Sequence, residues 1–190
     1  MSKPDTGAAG ETSTHNRVAF DRGSLSSRQE EVLERLVGAR GKVLTPYKIW
    51  IHAPGVAEGM EALGTQLNTA SSLPEAEREV AILATAAFWR SPYVIRAHER
   101  HGLRAGLAPE VVEALAAGCR AAPAEPRLRA VADFVADALA GASVADEDFA
   151  RYEAALGRAA MAELLALIGY YTAVALAMRL HDVEALPGSA

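Results

Sequence analysis

The stretch from Leu164 to Met178, "LLALIGYYTAVALAM", carries no charge and is bounded by Glu163 and Arg179. At the helical period it offers no polar face, so a helix built from it must be buried on nearly every side. It is shorter than a bilayer crossing usually demands, which predicts a core helix and no membrane partner. A chain of 190 residues can rarely wrap such a helix alone, so a homo-oligomer is expected.

Apolar residues recur at helical spacing along almost the whole chain, and no segment shows the alternating β-branched pattern of a strand. The fold class is therefore all-α, a helical bundle of about eight helices. A first helix is predicted from Ser27, capped by its hydroxyl with Glu30 three residues on, and ended by Gly38 or Gly41. "VLTPYKIWIHAPG" reads as a connection to a second helix carrying Val56, Met60, Leu63 and Leu67. Ser71 to Pro74 supplies a cap and a first-turn proline for a third helix through Glu79, Leu83 and Phe88. Ser91-Pro92 breaks the chain, and a fourth helix runs to Gly106. Pro109 opens a fifth ending near Gly118; "AEPRLRAVADFVADALAG" is a sixth, with "AAPAEP" read as a loop. A seventh starts at Ser143 or Asp146, and the last spans about Ala160 to His181.

Residues 1–24, rich in Gly, Ser, Thr and charge, read as a flexible tail, and 25–190 as one helical domain. His15 in that tail is given no role. The 19 Lys and Arg against 24 Asp and Glu are scattered rather than bunched, which excludes a nucleic-acid footprint. A single cysteine, Cys119, rules out an intrachain disulfide and a CxxC pair and reads as a small packing residue. A cytoplasmic location suits that usage.

Chemistry concentrates in "SPYVIRAHERHG", Ser91 to Gly102, where His98 and His101 lie one turn apart on one helix. Taken alone, Glu79 is a solvated helix glutamate beside Arg78, and His98 a packing histidine. As a pair they support acid/base work, because a carboxylate on one imidazole nitrogen fixes the tautomer and leaves the other to move a proton. The geometry sets a condition. At about 1.5 Å per residue, Glu79 lies about 18 Å before Ser91 and His98 about 10 Å after it. They meet only if the helices cross, the third helix stops early, or water bridges them. Glu79, His98 and His101 also suggest a two-histidine-one-carboxylate metal set, but HxxH gathers its rings loosely and no further acidic ligand lies on that helix, so no metal is expected. His52 reads as a pocket residue or a cap for the second helix, and His181 as a cation at a helix C-terminus. Trp50, Trp89, Tyr170 and Tyr171 read as core or interface aromatics.

Leu73-Pro74, Glu79, "SPY", His98, Gly106-Leu107 and "IGYY" at Ile168 to Tyr171, with "HAPGVAEGMEALG" before them, resemble the carboxymuconolactone decarboxylase and alkylhydroperoxidase-D superfamily over roughly residues 43 to 187. The resemblance implies an orthogonal helical bundle of that type, assembled as a trimer or hexamer. In the peroxidase branch a Cys-x-x-Cys pair precedes the histidine; those positions fall on Ser91 and Val94, so dithiol peroxide chemistry is excluded. The decarboxylase branch often has Tyr-Glu-Trp where this chain has Tyr93-Val94-Ile95. By this resemblance His98, Glu79 and Tyr93 are the catalytic residues and Val94 lines the substrate site; His52, Arg96 and His101 are expected to line it too, and Arg96 or Arg100 to hold a carboxylate if either turns inward. The implied activity is that of a cofactor-independent lyase or isomerase on a small carboxylated lactone or enolisable acid. A non-catalytic small-molecule-binding or assembly module, or a thiol-less relative of the peroxidases, are the alternatives.

Overall fold

A computed structural model describes residues 17–18, 20–119 and 123–183, which hold nine α-helices, one short 3-10 helix at Arg22–Ser24 and no strand. Helix α1, Ser27–Arg40, opens with a capping box. The cap is Ser26, whose hydroxyl accepts from the Gln29 amide while the Gln29 side chain accepts from the Ser26 amide, one residue earlier than Ser27 with Glu30. It ends on Gly41 at φ 71°, a left-handed turn that glycine adopts without a Cβ penalty.

The segment expected as a connection holds a helix of its own, α2 at Thr45–Trp50, with proline in its first turn. Six residues are too few to show a full amphipathic repeat, which is why the periodicity misses it. Then follow α3 (Pro54–Thr69), α4 (Glu75–Phe88) and α5 (Pro92–Arg104). After them come α6 (Pro109–Ala116), α7 (Pro126–Ala140), α8 (Asp146–Leu156) and α9 (Arg158–Leu180).

Two expected caps are absent. Helix α4 is capped at Pro74 with no side-chain bond. Ser71 and Ser72 turn instead to the Glu163 carboxylate on α9, Ser72 Oγ donating at 2.6 Å and its amide at 3.0 Å. The bonds from Ser71 and then Ser72 hold the Glu163 carboxyl below its ordinary range. Nor does Ser143 or Asp146 cap α8, whose N-cap is Ala145; Asp146, Glu147 and Asp148 sit in the first turn, where the helix dipole favours them.

Helix α4 is the hub, packing against α5, α6, α7 and α9, with Val80, Ala81, Ile82, Leu83 and Ala86 wholly enclosed. Its Glu77, 3% exposed, meets the Arg127 guanidinium of α7 at 2.6 Å, while Arg127 also donates to the Ala155 carbonyl of α8. That fork locks three helices with a charge-assisted contact. A second apolar cluster joins α1, α2 and the start of α3 through Val32, Leu33, Leu36, Tyr47, Ile51 and Ala57, and Trp50 and Met60 bridge it to the main core.

Helix α9 has the length and composition of a membrane crossing, but 56% of its most apolar window is buried inside this one chain. Leu164, Leu167, Tyr170, Val174 and Met178 point into the core. Leu165, Gly169 and Leu180 stay exposed, so the single chain encloses more of this helix than its composition suggests.

The tail expected over 1–24 lies largely outside the described residues, His15 included. The part that is described is tied down: the Arg17 amide donates to the His181 carbonyl, and Phe20 packs on the second cluster. His181 follows the end of α9, with Nδ1 2.9 Å from the Ala177 carbonyl.

Candidate active site

Glu79 and His98 meet directly, Oε2 to Nδ1, at 2.8 Å. Helix α4 stops at Phe88, short of the Ser91 break, and Trp89, Arg90 and Ser91 reverse the chain, with Arg90 at φ 50°. Counting from those helix ends, Glu79 is about 13 Å before the turn and His98 about 9 Å after it, and the length of the glutamate side chain covers the difference. Termination at Phe88 thus shortens the offset between the two residues to about 4 Å. Both groups are well enclosed, their side chains 6% and 14% exposed. The contact occupies Nδ1 and leaves Nε2 as the ring's other proton site.

Four tyrosines surround this pair or its cavity. Tyr171 of α9 stands edge-to-face on the His98 ring, centroids 5.1 Å apart at 87°, and its hydroxyl reaches Asn68 Oδ1 at 3.3 Å. The Asn68 amide donates to the Gly64 carbonyl at 2.7 Å, which fixes its orientation. Tyr170 packs beside Tyr171 and shares a hydrogen bond of 3.2 Å with the Tyr47 hydroxyl. Tyr93, half-buried, lies five residues before His98 on α5.

These groups border a cavity of about 1140 Å³ lined by Tyr47, Asn68, Tyr93, Val94, His98, His101, Tyr170 and Tyr171 among others. Glu79 lies behind His98 and does not line it. His101 is exposed, its ring 5.2 Å from that of His98. Partial desolvation against the cavity wall, then the neighbouring His98, lowers its pKa below 6.5, so its neutral form is favoured at neutral pH. Among the described residues no group of three or more His, Cys, Asp or Glu is placed to hold a metal ion.

Two expected substrate-site residues lie elsewhere. Arg96 precedes His98 by two positions, about 200° around the helix, and lines a second groove, of about 810 Å³, on the opposite side of α5. His52, exposed after α2, neither borders the cavity nor caps α3, whose N-cap is Ala53. Cys119, expected to pack, is exposed at the second groove, because α6 has ended and Gly118 at φ 74° turns the chain outward. Trp50 is a core aromatic as expected, and Trp89 donates through Nε1 to Thr172 Oγ1 on α9.

Ser91 is fully buried, and its hydroxyl is the buried side-chain polar atom without a hydrogen-bond partner among the described residues. It occupies the N-cap of α5 but makes no cap bond. Replacing an ordinary serine cap by alanine destabilises by about 1 kcal/mol; here Ser91→Ala removes only an unsatisfied group, so stability is expected to hold or rise by up to about 1 kcal/mol. Thermal unfolding reads the sign.

Residues 54–137 match the carboxymuconolactone decarboxylase family model. No curated protein matches the chain. Among solved structures, an uncharacterized peroxidase-related protein from Silicibacter sp. TM1040 superposes with a TM-score of 0.70 over 87% of each chain at 18% identity. At that identity the likeness establishes the fold, an all-helical bundle of the alkylhydroperoxidase-D-like type.

Proposed function

Starting from the carboxymuconolactone decarboxylase family match, we propose that this chain is a cofactor-independent acid/base enzyme, a lyase or isomerase, acting on a small carboxylated lactone or a related enolisable acid. The observation that carries this reading is the 2.8 Å contact between Glu79 and His98 with the imidazole on a cavity wall. No cofactor is needed where the substrate holds its own electron sink. When an unsaturated lactone loses CO2, the electron pair of the broken C–C bond delocalises as an enolate. The His98 imidazolium then gives its Nε2 proton to the remote carbon, ends neutral, and is reprotonated from water. Glu79 keeps Nδ1 protonated throughout. The Tyr93 phenol hydrogen-bonds the lactone oxygen, and Arg100, which lines the cavity where Arg96 does not, attracts a carboxylate. Small unsaturated lactone acids, screened by CO2 release or loss of ultraviolet absorbance, test the reaction class.

A binding module without catalysis has no use for an enclosed carboxylate–imidazole pair, which favours the enzyme. Dithiol peroxide reduction has no support here: Ser91 and Val94 hold the expected cysteine positions, and Cys119 lies at the other groove.

The strip Leu165, Gly169 and Leu180 on α9 is proposed as part of a homo-oligomeric interface, a trimer or hexamer in line with the family resemblance. Light scattering is expected to give a multiple of 20.0 kDa, and a stable monodisperse monomer at micromolar concentration contradicts it.

A further inference from the structure

The cavity beside His98 carries cationic side chains. Lys42, from the turn between α1 and α2, and Arg100 and Arg104 of α5 all line it, and among the described residues no aspartate or glutamate does. Arg100 and Arg104 stand four residues apart, so they are neighbours on one helix face, an arrangement that like charges disfavour in the absence of an anion. The opposite side of α5 is different: Arg90 and Arg96 line that groove together with Glu99. Of these two hollows flanking α5, the one beside His98 is the one with cations and no carboxylate among the described residues.

Leu44, Val94, Leu103 and Val174 lie beside the tyrosines on the rest of the wall, where Thr45, Asn68 and the two histidines are the other polar groups. At about 1140 Å³ the cavity reaches the upper end of ligand-site sizes, more room than a single small ring fills. Arg104 lies about 9 Å along the helix axis from His98.

We propose that Lys42, Arg100 and Arg104 form an anion subsite that grips a multiply charged group of the substrate, a polycarboxylate or a phosphate ester, running from Arg100, about 3 Å along the helix axis from His98, to Arg104. The apolar body of that substrate lies along Val94, Leu103 and Val174, and its reactive carbon lies at His98. Placement of the reacting end rests on the function proposed above; the subsite itself does not.

The test is binding to the full chain, by calorimetry, of pyrophosphate, of propane-1,2,3-tricarboxylate and of acetate. Both polyanions are expected to bind at one site at least about tenfold more tightly than acetate, and to weaken as salt is raised. The tighter of the two names the chemistry of the charged group. Arg100→Gln/Arg104→Gln and Lys42→Gln should each weaken polyanion binding about tenfold or more, with Arg96→Gln unchanged. His98→Gln should keep the binding, so loss of turnover in that variant with polyanion affinity intact separates the subsite from the acid/base reading. Polyanion affinity equal to that of acetate, unaltered by the double substitution, or reduced as much by Arg96→Gln, overturns the proposal.

Discussion

His98→Gln is expected to lower the rate on an active lactone acid by roughly 10²–10⁴, the usual contribution of a general acid or base, while leaving substrate binding nearly intact. Glutamine keeps a hydrogen-bonding group of similar reach on the cavity wall but cannot carry the proton. The loss should therefore fall in kcat rather than KM. Glu79→Gln is expected to cost less, because the neutral amide still contacts Nδ1 but no longer obliges it to donate. His101→Gln serves as the control. It shares the cavity and stands 5.2 Å from His98, yet no carboxylate fixes its ring, and turnover should change little. If His98→Gln works at the wild-type rate, His98 is a packing residue.

Gly64→Ala is the second large effect. In the middle of α3 the change should help, since alanine is favoured over glycine in a helix interior by about 1 kcal/mol. Against this, a Cβ at position 64 would lie 2.5 Å from the Tyr170 hydroxyl and 2.8 Å from the ring carbon that bears it. Tyr170 cannot simply retreat. It is 7% exposed, bonded to the Tyr47 hydroxyl, and packed against Trp50 and Tyr171. Overpacking at such a site costs about 1–3 kcal/mol, and breaking the Tyr47–Tyr170 bond adds about 1 kcal/mol. The net expectation is a loss of about 2 kcal/mol, seen as a fall in Tm of about 4–8 °C for a domain of this size. Because Tyr171 abuts both Tyr170 and His98, the displacement should also reach the site and lower turnover. An unchanged or raised Tm would mean that α3 and α9 separate freely at this contact.

Eight of the nine helices were readable because they carry an apolar face, a first-turn proline or a flanking glycine that a linear sequence displays. Helix α2 was not, being shorter than the repeat that would reveal it. Caps shifted for a different reason: Ser71 and Ser72 are good capping residues, and only the fold shows that Glu163, distant in sequence, claims them. Within the site, Glu79, Tyr93, Val94, His98 and His101 came from spacing and resemblance, and the structure places them around one cavity, with Glu79 one layer behind. Arg96 could not have been excluded from helical angle alone, because Arg100, its neighbour one turn on and equally far around the helix from His98, does line the cavity. Nor could His52, because its position depends on how α2 turns into α3.

Tyr171, Asn68, Lys42 and Arg104 went unrecognised as cavity residues. Tyr171 was visible as part of "IGYY", but a tyrosine in an apolar helix reads as core, and contact with His98 is a matter of tertiary packing. Asn68 looks like an ordinary polar residue near a helix end. Lys42 and Arg104 sit in different elements, and nothing local signals that they share a wall. The oligomer expectation rested on the composition of α9, and half of that argument is answered by burial within the chain; what remains is the exposed strip around Leu165.

The central claim is that Glu79 holds His98 with Nδ1 protonated and Nε2 available for proton transfer. Long-range proton–nitrogen correlation spectra of the imidazoles read this without any substrate. At a pH where His98 is neutral, the wild-type protein should show the Nδ1–H tautomer at His98, and Glu79→Gln should release the ring to a mixture of tautomers. An Nε2–H tautomer at His98 in the wild-type protein, unaffected by Glu79→Gln, would contradict the account.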